Sequence, residues 1–311
     1  MQNAVKEESL DYTSFISDVK ERIEVRMGKG YQVKVYKIMK NNSLELDSLV
    51  VLKEGRDIAP NIYLNVYYQS YMAGTTMEEI VDRLCIIYSH CSVPILQDDF
   101  EYSLETMRPF IFISLVSLDR NKKLLLQIPH IKFLDLAVTF HCLVRNEDEA
   151  IGTIRITKEH MKLWDISLED IKELAFINTK RLFPPKIRTM EEMVNFILRR
   201  DANVYGGDCD FEYSPNESYP MYILTNEKGI NGASCMLYKD VIKDFANLIK
   251  SDLYILPSSI HELILMPMEN TIEKEKFNQM VMEINASQVP EEDILSDHVY
   301  IYSRDTDTIS M

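Results

Sequence analysis

The sequence predicts an α+β fold of two or three small mixed sheets flanked by amphipathic helices. Two observations predict it. Apolar residues recur at helical spacing in some stretches and alternate in others, without the regular strand–helix repetition of a parallel sheet. The 311 residues are also 46% hydrophobic and 10% aromatic, enough to build folded cores.

The first helix is marked by Tyr12, Phe15, Ile16, Val19 and Ile23, with Asp18, Lys20, Glu21 and Glu24 on other faces. Tyr31, Val33 and Val35 alternate with Gln32 and Lys34, a strand pattern. Asn41-Asn42-Ser43 then turns the chain into a second strand over Leu44–Val51. A third strand is expected over Ile62–Tyr68 after Pro60-Asn61. Thr76 with Glu79 forms a capping box before the stripe Met77, Ile80, Val81, Leu84, Tyr88. The N-terminal unit therefore reads α-β-β-β-α.

That order is shared with double-stranded-RNA-binding domains, which grip phosphates with basic residues near the start of the second helix. Here the corresponding stretch is Thr75-Thr76-Met77-Glu78-Glu79, which repels a phosphate backbone.

Gln97–Met107 reads as a helix and Phe110–Leu118 as a strand, before a polar break at Asp119–Lys123. Phe133–Val144 is β-rich in its second half, with a helix start near Phe133 as the alternative. Glu147-Asp148-Glu149 makes a turn and Ile151–Ile156 a strand. Helices follow at Glu159–Trp164 and, capped by Ser167, at Leu168–Ile177. Pro184-Pro185 ends that unit, and Thr189 with Glu192 caps another helix.

Ala202–Pro220, with Gly206, Gly207 and two prolines, reads as a linker. Met221–Thr225 and Ala233–Leu237 are expected to form a hairpin. A helix carrying Val241, Ile242, Phe245 and Leu248 or Ile249 inward comes next. Strands at Leu253–Leu256 and Leu263–Met266 precede a helix over Thr271–Asn285 with Phe277, Met280, Val281 and Ile284 inward. His298–Tyr302 is a last strand before a frayed acidic tail. The expected domains are 1–118, 119–201 and 221–311, joined by a linker over 202–220. The middle and C-terminal units share a loose order of strand, helix and proline break, which generic α+β order explains as well as a repeat does.

The 34 Lys and Arg against 49 Asp and Glu give a net charge of −15. Such a chain is a poor partner for nucleic acid or an anionic membrane, since both draw affinity from clustered cations. No run approaches the roughly 18 apolar residues of a membrane span, and the first residues do not read as a signal peptide. Acids gather after Pro267; the clearest basic patch is Lys180, Arg181, Lys186, Arg188, Arg199 and Arg200. Cys85, Cys91, Cys142, Cys209 and Cys235 are neither a disulfide framework nor a zinc site, which fits a reducing cytoplasm. No cofactor motif is present.

The most site-like stretch is Leu256-Pro257-Ser258-Ser259-Ile260-His261-Glu262-Leu263, where two hydroxyls, an imidazole and a carboxylate fall between two apolar strands. It suits a serine-capped turn with His261 satisfying backbone groups, or a loop in which Ser258, Ser259, His261 and Glu262 touch a ligand. Adjacent His261 and Glu262 would point to opposite faces on a strand, so the carboxylate would not orient the ring. Asn178 and Arg181 are a second candidate. Arg181 either clamps a carboxylate or phosphate, or simply opposes the dipole at a helix C-terminus. His130, His141, Cys142 and His160 lack a compact ligand spacing, so no metal is expected. Asp208-Cys209-Asp210 and Glu147-Asp148-Glu149 do not match a calcium loop. Tyr63, Tyr67, Tyr68 and Tyr71 read as strand packing before a peptide-binding surface.

Several stretches carry a resemblance: Asn65-Val66-Tyr67-Tyr68 after Pro60; Ile128-Pro129-His130 with Phe133-Leu134-Asp135-Leu136-Ala137; Tyr222-Ile223-Leu224-Thr225-Asn226; Leu256–Glu262; and Leu295-Ser296-Asp297-His298-Val299-Tyr300. Together the chain resembles an uncharacterised bacterial family of unknown function found in Gram-positive anaerobes, from about Ser14 to Tyr302. The resemblance implies a cytoplasmic protein and supplies no catalytic residue. The expected function is a non-enzymatic binding or scaffold protein acting through a protein partner or small ligand. The alternative is an enzyme centred on His261 and Ser259, with Arg181 holding an anion.

Overall fold

The computed structural model describes residues 10–55, 59–90, 103–147, 150–194, 220–268 and 273–311. The chain divides into two compact units. The first comprises residues 1–40 and 44–100, the second residues 41–43 and 101–311.

In the first unit, helix α1 (Tyr12–Met27) starts where Asp11 accepts the Ser14 N–H at 2.8 Å, and it stops at Gly28, whose φ is 72°. Phe15, Val19 and Ile23 are its buried stripe. Strands β1 (Tyr31–Met39) and β2 (Glu45–Lys53) are antiparallel, running from Tyr31 opposite Lys53 to Met39 opposite Glu45. β3 is only Ile62–Tyr63, paired with Ser48 and Leu49.

The expected strand to Tyr68 is corrected here, because residues from Leu64 onward form helix α2 (Leu64–Met72). Tyr68 and Tyr71 sit three residues apart, and both pack on Phe15, with ring centroids at 5.2 and 5.4 Å. That spacing buries one helical face; in a strand the two rings would point oppositely. α3 (Met77–His90) opens with the expected Thr76–Glu79 box and buries Ile80, Val81 and Leu84.

Among its described residues the second unit holds two antiparallel sheets. One contains β4 (Ile111–Ser117), β5 (His130–Phe133), β6 (Leu136–Glu147) and β7 (Ala150–Arg155), with β6 pairing all three others. β5 and β6 form a tight hairpin with Leu134-Asp135 at its tip, so no helix starts near Phe133. The other sheet is made of β8 (Pro185–Thr189), β9 (Tyr222–Asn226), β10 (Leu253–Pro257), β11 (Leu263–Pro267), β12 (Tyr300–Ser303) and β13 (Thr308–Ser310). Its order is β13-β12-β10-β11-β9-β8. The expected frayed tail is thus partly a strand, with Tyr302 opposite Ile309. One apolar core runs from Ile111, Ile113 and Leu115 to Leu253, Ile255, Leu263 and Tyr300, and Tyr254, Leu256, Phe277, Val281 and Val299 form another.

Helices α4 (Leu104–Met107), α5 (Lys122–Leu125), α6 (Lys158–Leu163), α7 (Leu168–Leu182), α8 (residues 190–194), α9 (Val241–Ile249) and α10 (Lys274–Ser287) complete the unit. α7 is capped by Ser167 and runs past the expected Ile177. β4 is an edge strand buried throughout. α7 covers that edge: the Thr179 hydroxyl accepts the Ile113 N–H at 3.0 Å, so this edge amide is satisfied without a further strand.

Two further expectations are corrected. Ala233–Leu237 is not a strand but part of a buried 3-10 turn, Gly232–Leu237, and β9 pairs with β8 and β11 instead. A short apolar run signals burial without fixing its period. Met280 and Ile284 of α10 are about half exposed, with Phe277, Val281 and Asn285 facing inward. Of the Leu248 or Ile249 alternative on α9, Ile249 packs on the core and Leu248 is exposed. The N-terminal part of the helix expected over Gln97–Met107, most of the linker 202–220, and Cys91, Cys209, Arg199 and Arg200 lie outside the described residues.

Candidate functional site

The loop 258–262 connects β10 to β11, and its backbone is pinned from four sides. Ile260 is buried in the core, its N–H donates to the Asp293 carbonyl at 2.8 Å, and its carbonyl accepts from Ala233 N–H at 3.2 Å. The Ser259 hydroxyl accepts the His261 N–H at 3.0 Å, and the Thr225 hydroxyl donates to the His261 carbonyl at 2.8 Å. Gly232 fits beneath because it has no side chain: a Cβ there would lie 2.3 Å from the His261 carbonyl oxygen.

Both nitrogens of the His261 ring face protein groups. Nδ1 accepts the Asn231 N–H at 3.1 Å, and Nε2 lies 3.3 Å from the Asp293 carboxylate. An acceptor Nδ1 places the neutral ring's proton on Nε2, toward that carboxylate. Asn231 is itself at φ 51°, with its side-chain oxygen accepting from Ser114 at 3.1 Å. Glu262 accepts from the Ser258 hydroxyl at 3.3 Å, and the carboxylate beside the imidazole comes from Asp293. Asn231 and Asp293 are partners that sequence spacing gave no means of finding.

Asn178 and Arg181 belong to a different place. From α7, Asn178 donates to the carbonyls of Arg108 and Ile111 at 2.8 and 3.1 Å. The Arg181 guanidinium donates to the Pro109 carbonyl and, at 3.4 Å, to the Asn178 side-chain oxygen. The pair clamps the turn that leads into β4. It shares no hydrogen-bond partner with the 258–262 loop among these contacts.

A third cluster joins two stretches that carried the family resemblance. Asp135, at the tip of the β5–β6 hairpin, accepts from Ser296 Oγ at 2.6 Å, His298 Nδ1 at 3.1 Å and Tyr300 OH at 2.7 Å. Its neighbour Leu134 has φ 55°, costly for a bulky side chain. The Ser296 hydroxyl also accepts the His298 N–H at 2.9 Å. α10 steadies this segment: Asn285 donates to the Ser296 carbonyl and the Asp297 carboxylate, and Asn278 accepts the Val299 N–H. Burial raises the Asp297 pKa, but hydrogen bonds from Asn285 and Arg120 outweigh it and hold the carboxyl below its ordinary value. Burial, with Asp135 alongside, pushes the Tyr300 hydroxyl far above its usual range, so it stays a donor.

Three further histidines, His130, His141 and His160, have local partners. His130 Nδ1 lies 3.2 Å from the Ile128 carbonyl, His160 caps α6 against Thr157, and His141 stacks on Phe112. Among the described residues, no three His, Cys, Asp or Glu side chains come together to hold a metal. Cys85, Cys142 and Cys235 are free thiols. No helix among the described residues is long and apolar enough to cross a membrane.

Among the described residues the fold is an α+β assembly of three antiparallel sheets with side-chain clusters at their connections. Residues 12–304 match the model of a family of unknown function (DUF5688), and the chain belongs to that family. No curated protein matches the chain. No solved structure matches it.

Proposed function

We propose that the chain is a non-enzymatic binding or scaffold protein acting through a protein partner or small ligand. The observation that carries this reading is the engagement of the His261 ring. With Nδ1 on a backbone amide and Nε2 facing Asp293, the most site-like imidazole in the sequence has its ring nitrogens directed at the fold. Asn178 and Arg181 are likewise directed at backbone carbonyls. Ligand contact falls on the outer edge of the same loop, where Ser258, Ser259, His261 and Glu262 remain partly exposed. The net charge of −15 supports a partner other than nucleic acid. Free thiols support a reducing cytoplasm. The sequence pattern supports an origin in Gram-positive anaerobic bacteria.

A thermal-shift screen of the full chain against nucleotides, amino acids and sugar phosphates tests the reading when run beside generic esterase and phosphatase substrates. A bound ligand at a hundred times its Kd adds about 2.7 kcal/mol and raises Tm. The expected result is such a shift without turnover. Turnover abolished by His261→Ala and Ser259→Ala would overturn the proposal and favour the enzyme reading.

A further inference from the structure

The side chain of His298 is 54% exposed, and no hydrogen bond engages its Nε2 among the described residues. Its Nδ1 lies 3.1 Å from Asp135, and an ionised carboxylate can only accept, so the ring proton sits on Nδ1. The Nε2 lone pair therefore points away from Asp135. The carboxylate is immobilised by Ser296 and Tyr300, on a hairpin tip held at the unfavourable φ of Leu134. The pair is a built arrangement: an imidazole with fixed tautomer, an anchored anion behind it and an accessible nitrogen in front.

Such an imidazole can accept a proton or attack an electrophile. General-base chemistry is favoured by a site closed to water, and more than half of this ring is open. Attack on a phosphoryl group needs instead an accessible nitrogen and a counter-charge for the ring, which turns cationic as the new bond forms. Asp135 supplies that charge. The neighbouring acids are paired, Asp297 with Arg120 at 2.8 Å and Asp119 with Lys122 at 2.8 Å. Lys132 is exposed on β5, opposite Ala137 in the same hairpin that carries Asp135. Paired acids and a nearby exposed cation lower the barrier to an approaching phosphoryl anion.

We propose that His298 is a phosphoryl-accepting residue, modified at Nε2 by a donor with a P–N bond, with Asp135 as its positioning residue. With phosphoramidate, the Nε2 lone pair forms a new bond to phosphorus while the donor's P–N bond breaks. The donor's nitrogen, protonated in the neutral-pH zwitterion, leaves as ammonia with the bonding pair, Nδ1 keeps its proton, and the positive ring faces Asp135. The inference is independent of the binding role proposed for the 258–262 loop.

Incubating the full chain with phosphoramidate tests it, read by intact mass and by 31P NMR for a phosphoryl group lost in acid and kept in base. Peptide mapping should place that group on His298 ahead of every other histidine. His298→Ala should abolish it. Asp135→Asn should slow labelling by about tenfold to a hundredfold, the factor carried by one hydrogen bond to a charged group. Equal labelling of several histidines in the unmodified chain, which needs no variant to fold, would overturn the proposal. So would an unchanged rate in a folded Asp135→Asn variant.

Discussion

Replacing Gly232 with alanine is the sharpest perturbation of the loop that carries His261. The added Cβ would sit 2.3 Å from the His261 carbonyl oxygen, 2.3 Å from Thr225 Oγ1 and 2.9 Å from Thr225 Cα. Two of these neighbours are backbone atoms, so no rotamer change relieves the clash. The loop or strand β9 must move by roughly 1 Å to restore ordinary contact, and overpacking of this kind costs about 1–3 kcal/mol. The movement also breaks the Thr225 hydrogen bond to His261 and strains that of Ala233 N–H to Ile260, each worth about 1 kcal/mol. The expected loss is about 3–5 kcal/mol, a large fraction of a domain's stability. Urea unfolding followed by circular dichroism reads it as a drop in midpoint at unchanged slope. A loss below about 1 kcal/mol would refute the reasoning, since the contact would then be relieved without moving backbone.

Two further outcomes follow from buried and half-buried polar groups. Asn42, 7% exposed, donates from Nδ2 to the carbonyls of Glu291 and Ile294, accepts from Asn121 Nδ2, and donates its N–H to Asn121 Oδ1. Asn42→Ala strands two carbonyls at about 1–3 kcal/mol each and keeps a positive φ that alanine disfavours, so equilibrium unfolding should show a loss of at least about 3 kcal/mol. His141 is pulled down to about 3 by desolvation and, secondarily, by Arg155, so it folds neutral while the unfolded chain binds a proton below its ordinary 6.5. Its contribution is complete above that value and is lost as pH falls toward 3, with a slope of about 1.4 kcal/mol per pH unit. His141→Phe should flatten the stability profile by that slope between these limits.

Much of the fold was legible because its periodicities are long or capped. The stripe from Tyr12 to Ile23, the Val33–Val35 alternation, the Ser167 cap and the apolar runs at Ile111–Ser117 and Leu253–Pro257 all form the elements their patterns specify. Short segments were not legible in the same way. Ile62–Tyr68 and Ala233–Leu237 are apolar and brief, and their period was settled by tertiary partners, Phe15 for the tyrosines and the His261 loop for Gly232. The site was read only in part. Spacing located His261, but not Asp293 or Asn231, and Asp135 meets His298 across more than 160 residues of chain. Partners brought together by sheet topology leave no local spacing to read.

The two histidines carry opposite predictions, and long-range 15N–1H NMR of the ring nitrogens tests both in one spectrum at neutral pH. His261, accepting the Asn231 amide at Nδ1, should show the proton on Nε2, and His298, bound to Asp135 through Nδ1, should show it on Nδ1. Finding His261 protonated at Nδ1, or His298 at Nε2, would contradict the account of one imidazole held by the fold and the other presented by it.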